Sequence, residues 1–173
     1  VTGVNDLPTA DDGVNTATEN GASENGTLIS SDIDNNSSLT YSIEQGIPSG
    51  QGSLISINFN TGDYIYDPGN DFQELAEGEM ITTTFTYKVT DDLNQDSNIS
   101  TITITVIGVN DAPVAQDDTI SADEDGAVVN GVVTSTDIDN GSTITYILVE
   151  NVSENQGFLG FNTTTGAYTF DPN

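Results

Sequence analysis

Cysteine, histidine and tryptophan are absent from these 173 residues, and lysine plus arginine together count one, Lys88. Without cysteine there is no disulfide and no thiolate metal site, and without histidine the commonest imidazole base and ligand are missing. Against the single lysine stand 28 Asp and Glu, for a net charge of -27. Such a chain repels phosphate backbones and anionic lipid headgroups, which argues against nucleic acid and bare membrane as partners. No apolar run approaches the roughly 20 residues of a membrane span. No signal peptide opens the sequence, which starts and stops mid-pattern and is expected to be a piece of something longer.

Charge of this size usually means disorder. Here the acids are spread among runs of Ile, Val, Tyr and Phe, and 34% of the residues are hydrophobic. The expectation is a folded chain that needs cations.

An internal repeat carries most of the information. "GVNDLP" at 3 to 8 returns as "GVNDAP" at 108 to 113, a shift of 105 positions. The same shift lays "ENGASENG" (19 to 26) on "EDGAVVNG" (124 to 131), "DIDN" (32 to 35) on "DIDN" (137 to 140), and "LTYSI" (39 to 43) on "ITYIL" (144 to 148). After a one-residue slip, "NTGDYIYDP" (60 to 68) falls on "TTGAYTFDP" (164 to 172). A period near 100 residues is too long for a solenoid coil, so each unit is expected to be a self-contained domain in an array. The second copy has no counterpart of residues 70 to 107.

Within a unit the pattern is all-β. "TTTFTYKVTD" puts Phe85, Tyr87 and Val89 on one face, and "STITITV" sets Ile102, Ile104 and Val106 opposite Thr101, Thr103 and Thr105, a period of two. Shorter runs at 28 to 31, 39 to 43, 54 to 59 and 64 to 66, with one near 14 to 18, are separated by Gly, Asn, Asp and Pro. That makes about seven strands per unit, the spacing of a sandwich. The expected fold is a tandem of immunoglobulin-like or cadherin-like Greek-key β-sandwich modules, the second lacking its last strands. The expected domains are a linker at 1–7, a first sandwich at 8–108, an inter-domain linker at 109–113 and a second sandwich at 114–173. Only "DFQELAEGE" (71 to 79) offers a turn or two of helix.

The repeated hexapeptide reads as a short, stiff joint. Gly108 permits a close or positive-φ backbone, Pro113 fixes φ and ends the ladder, and Asn110 and Asp111 offer oxygens between them. In "DIDN", the i, i+2 spacing of Asp137 and Asp139 can turn two carboxylates toward one point. Oxygen-only clusters suit Ca²⁺, which takes about 6 to 8 oxygens, better than Mg²⁺, which keeps more of its water.

"VxGVNDxPxA", "DIDN", "GDYxYDP" and "TFTYKVTDD", in that order, resemble the bacterial cadherin-like repeats of giant secreted adhesins, often called VCBS repeats. The resemblance covers essentially the whole chain. It implies extracellular stalks whose junctions calcium stiffens, in biofilm and surface adhesion. One implied junction draws Glu19 and one of Glu77 or Glu79 from the module before, Asn110 and Asp111 from the linker, and Asp137 and Asp139 from the module after. By the same logic Asn5, Asp6, Asp32, Asp34 and Asp91 form half of a junction with a module upstream. Where the animal cadherin linker carries an acid two residues before its Asn, this chain has Gly3 and Gly108, so one or two ions are expected per junction. The implied partners are adjacent modules, with other copies or surface ligands reached through other domains.

Blander readings compete at several motifs. Asp-x-Asp-Asn is often a plain turn, but repetition beside a repeated linker favours the ion. Gly141 sits one place early for an EF-hand loop, and no helices flank it. Tyr64, Tyr66, Tyr168 and Phe170 invite a sugar-stacking platform, against which strand alternation makes one of each pair core. The Thr101, Thr103, Thr105 row is the solvated face of a strand rather than an ice-binding row. Asp67 and Asp171 are turn formers before Pro, and Asp12, Asp117 and Asp118 are solvated acids. An enzyme is not expected, because the common triads lack their residues and a module of this size has little room for a cleft. The unfinished second unit exposes edges that either its own continuation or strands of another copy, building a filament, would cover.

Overall fold

The computed structural model describes residues 3–34 and 36–172; Asn35 of the first "DIDN" lies outside the described residues. The chain divides into two compact units, Val1–Asn110 and Asp111–Asn173. All of its regular structure is β.

Unit 1 holds nine strands: β1 (Thr9–Asp11), β2 (Gly13–Thr18), β3 (Glu24–Thr27), β4 (Ile29–Ser31), β5 (Thr40–Gln45), β6 (Ser53–Ile57), β7 (Asp63–Asp67), β8 (Met80–Thr90) and β9 (Ser100–Ile107). One layer is the four-stranded sheet β2-β9-β8-β5. In it β2 runs parallel to β9, and β9–β8 and β8–β5 are antiparallel. The other layer is made of the pair β1-β4 and the sheet β3-β7-β6. Leu28 interrupts the run between β3 and β4, and its N–H donates to the Gly62 carbonyl at 2.9 Å, which carries the layer across the break.

Period-two alternation in β8 and β9 becomes the core. Phe85, Tyr87 and Val89 meet Ile102, Ile104 and Val106, all at most 1% exposed, and Tyr64, Tyr66, Leu28 and Ala10 close over them from the second layer. Tyr64 meets Phe85 edge to face with ring centroids 5.2 Å apart. The Tyr87 hydroxyl lies 2.7 Å from the Asp11 carbonyl and 2.6 Å from that of Ile29, which satisfies it where β1 and β4 meet.

Three expectations are corrected. Residues 71–79 form turns and no helix: Leu75 N–H bonds back to the Phe72 carbonyl at 3.0 Å, and the two side chains plug the core from a loop that Pro68 sets up. Tyr64 and Tyr66 are both buried, at 3% and 0%, since positions two apart in a strand share a face. β1 and β3, which lack a visible alternation, are strands all the same.

Unit 2 contains β10 (Val114–Ala115), β11 (Val129–Val132), β12 (Ser135–Thr136), β13 (Phe158–Phe161) and β14 (Ala167–Asp171). β10 pairs with β12, and β11-β14-β13 form a three-stranded sheet. These reproduce β1-β4 and β3-β7-β6 of unit 1. Gly131 opposes Tyr168 as Gly26 opposes Tyr64, and in both places a Cβ would overlap the tyrosine ring.

Candidate metal centre

At the N-terminal end of unit 1, three loops bring their acids together. Asn5 and Asp6 precede β1, Asp32 and Asp34 follow β4, and Asp91 follows β8. The Asp6 N–H donates to Asp34 Oδ2 at 2.7 Å, and the Asp34 N–H to Asp32 Oδ1 at 2.9 Å. The Ser37 hydroxyl donates to Asp32 Oδ2 at 2.7 Å. The Asn5 amide donates to Asp91 Oδ2 at 2.7 Å, while Leu93 and Gln95 N–H groups donate to Asp91 Oδ1 at 2.9 Å and 2.7 Å. Those bonds, the one from Asn5 first, hold the Asp91 carboxyl below its ordinary range. Asp91 is thereby kept as a buried carboxylate, at 5% exposure.

Unit 2 repeats the linker–loop part of this arrangement. The Asp111 N–H donates to Asp139 Oδ2 at 3.0 Å and the Asp139 N–H to Asp137 Oδ1 at 3.0 Å. Ser142 N–H bonds to the Asp139 carbonyl as Ser37 N–H does to that of Asp34. Asp139 is 7% exposed, and its Oδ1 accepts no hydrogen bond among the described residues. Backbone donors thus fix one oxygen of each loop acid and leave others to face a ligand. Counterparts of Asp91 and of the residues around it do not occur in 111–173.

The other expected residues lie where unit 1 ends. Glu19, one residue past β2, is 1% exposed; its N–H donates to the Ile107 carbonyl at 3.0 Å and its Oε1 accepts the Val109 N–H at 2.9 Å. Glu79 is exposed and turns its carboxylate to the Ala76 N–H at 3.1 Å, while its carbonyl takes the Gly108 N–H at 2.8 Å. Glu77 and Asn110 are exposed. Gly108 is required by proximity rather than by φ, because a Cβ there would overlap the Ala76 carbonyl oxygen.

The donor set is chemically uniform. It consists of carboxylate and amide oxygens, with no sulfur or imidazole anywhere in the chain, and suits a hard divalent cation. The only basic side chain is committed elsewhere: Lys88 Nζ lies 2.9 Å from Asp96 and 3.3 Å from Glu44. Reading the sequence alone misses Ser37, Leu93 and Gln95, whose donors orient Asp32 and Asp91. The signal available was the Asx-turn pattern of a polar residue two to five places after an acid.

Comparison with known proteins agrees with this architecture. The family model for the bacterial cadherin-like domain matches residues 5–108, and that for the bacterial Ig domain matches residues 110–173. No curated protein matches. Among solved structures the chain is similar to human CDH23 EC21-23, at 22% identity and TM-score 0.56, over 95% of this chain and 55% of that one. It is also similar to mouse Cadherin-23 EC22-24, at 20% identity and TM-score 0.59, over 96% of this chain and 54% of that one. Protocadherin Gamma B7 extracellular cadherin domains 1-4 match at 18% identity and TM-score 0.54, over 96% of this chain and 41% of that one. The chain therefore spans about half the length of the structures it resembles or less, and at these identities the likeness is one of fold. With more than half of its residues under one family model, the chain belongs to the bacterial cadherin-like domain family.

Proposed function

We propose that this chain is a stretch of extender modules from a calcium-dependent bacterial surface adhesin, in which Ca²⁺ bound at module ends stiffens an extracellular stalk. The observation that carries the reading is the repeated relay of an Asp amide onto a loop Asp, Asp6 to Asp34 and Asp111 to Asp139, each continued to a second loop Asp. Turns of this kind stabilise themselves without an ion, but they do not explain why two acids follow one another at the same joint in both units.

In this reading Asn5, Asp6, Asp32, Asp34 and Asp91 supply oxygens to an ion shared with a module upstream. Asn110, Asp111, Asp137 and Asp139 do so at the next joint, with Glu19 and one of Glu77 or Glu79 from the module before it. Several carboxylates held within a few ångströms repel one another unless neutralised, so an ion-free joint is loosened. At extracellular affinities of about 10⁻⁴ to 10⁻³ M, a tenfold excess of ion stabilises each site by roughly 1.4 kcal/mol, a term that accumulates along an array.

The module is structural rather than enzymatic in this account, and its aromatic pairs support that: Tyr64 and Tyr66 are core, which removes the sugar platform in unit 1. Scattering and melting curves in calcium and in EGTA test the proposal. A stiffer, higher-melting chain in calcium supports it; identical curves refute it.

A further inference from the structure

Two stretches of unit 2 repeat the pattern of strands in unit 1 and yet form none. Shifted by 105, residues 118–123 stand where β2 stands and residues 145–150 where β5 stands. In unit 1 the sole ladder partner of β2 is β9, and that of β5 is β8. Residues 111–173 contain no counterpart of either.

The framework around those stretches is nevertheless already set. Ser135 donates to the Tyr146 hydroxyl at 3.1 Å, where Ser30 and Tyr41 pair at 2.8 Å. Tyr146 N–H reaches the Thr163 carbonyl at 2.8 Å, as Tyr41 N–H reaches that of Phe59. Asp125, like Asn20, has φ 54°, and the tight turn at Gly126 copies the one at Gly21.

Between these elements lies an apolar groove of about 370 Å³ lined by Pro113, Ala115, Val133, Tyr146, Leu148 and Phe161. Their counterparts in unit 1 are Pro8, Ala10, Leu28, Tyr41, Ile43 and Ile57, which are buried in, or packed against, the core that β8 and β9 fill. Ala10 is 4% exposed, whereas Ala115 is exposed and Leu148 is 39% exposed.

We propose that this groove is an acceptor for a β-hairpin with the alternation of β8 and β9, its first strand antiparallel to residues 145–150 and its second parallel to residues 118–123. Unit 1 supplies the chemistry of the occupant: a large apolar or aromatic side chain at every second position, with threonine between. Charge points the same way. β8 and β9 contain no acid and include the chain's one lysine, so a strand pair of this type meets an acid-rich unit without repulsion.

The probe is a synthetic peptide of residues 80–107 added to the whole chain, followed by amide hydrogen exchange. The expected result is a one-to-one complex in which amides of 118–123 and 145–150 become protected at least tenfold. Leu148→Asp in the chain, at a position outside any strand, and Tyr87→Asp in the peptide should each weaken binding at least tenfold. Absence of new protection at saturating peptide would overturn the proposal. Equal uptake of a scrambled peptide, or a dimer of the chain that closes the groove and takes up no hairpin, would do so as well.

Discussion

Asp111 donates its backbone N–H to Asp139 Oδ2 at 3.0 Å, in the same way that Asp6 donates to Asp34 Oδ2 at 2.7 Å. The linker backbone thus aims a loop carboxylate in each unit, leaving the carboxylates of Asp6 and Asp111 for other work. Asp34→Asn keeps an acceptor for the Asp6 amide and removes one charge. The expected outcome is an intact fold with calcium affinity in unit 1 lowered about tenfold, or about 1.4 kcal/mol, by calorimetric titration. An unchanged affinity would remove Asp34 from the ligands.

Tyr66 makes the alkaline limb of stability predictable. Burial, aided by the negative charges of Asp71 and Asp67, pushes its hydroxyl up to about 12. A native pKa raised above the unfolded value near 10 gives stability that is complete below about pH 10 and is lost as pH climbs through about 12. Tyr66→Phe removes that share of the alkaline loss. Near neutrality it costs about 1 kcal/mol, because the 2.8 Å bond to the Gln51 carbonyl goes with the hydroxyl. Denaturant melts of both proteins from pH 7 to 12 should therefore converge at the alkaline end.

The glycine–tyrosine pairs give a packing test. Gly26→Ala forces the Tyr64 ring away from β3, with an expected loss of about 1 to 3 kcal/mol. Gly131→Ala should do the same to Tyr168 in unit 2. Wild-type melting of either variant would mean that the ring has another place to lie.

Lys88 is the chain's only basic side chain and bridges Glu44 and Asp96, yet it is expected to matter little. Its pairs sit on the outer face of the sheet and are screened, so Lys88→Met should shift stability by about 0 to 1 kcal/mol. A larger loss in denaturant titration would show that relief of like-charge repulsion depends on this one cation.

Much of this architecture was legible because it rests on local pattern. β8 and β9 announce themselves through Phe85-x-Tyr87-x-Val89 and Ile102-x-Ile104-x-Val106, and the repeat exposes the two units. Other features depend on partners distant in sequence. Residues 118–123 and 145–150 read like β2 and β5 but form no strands, since a ladder needs the neighbour that β9 and β8 provide in unit 1. Phe72 and Leu75 sit at helical spacing, yet they serve as a plug on a turn. The loop acids were legible from "DIDN" and "VND"; the amides of Leu93 and Gln95 that hold Asp91 were not, because backbone donors leave no mark in a side-chain pattern.

The most direct test of the calcium account is a calcium titration of the isotopically labelled chain, following the backbone amides of Asp6, Asp34, Asp111 and Asp139. Saturable shifts at all four by millimolar ion, absent in a variant carrying Asp34→Asn and Asp139→Asn, are predicted. Amides that stay put throughout the titration would contradict the account and leave the acids as self-satisfied turns.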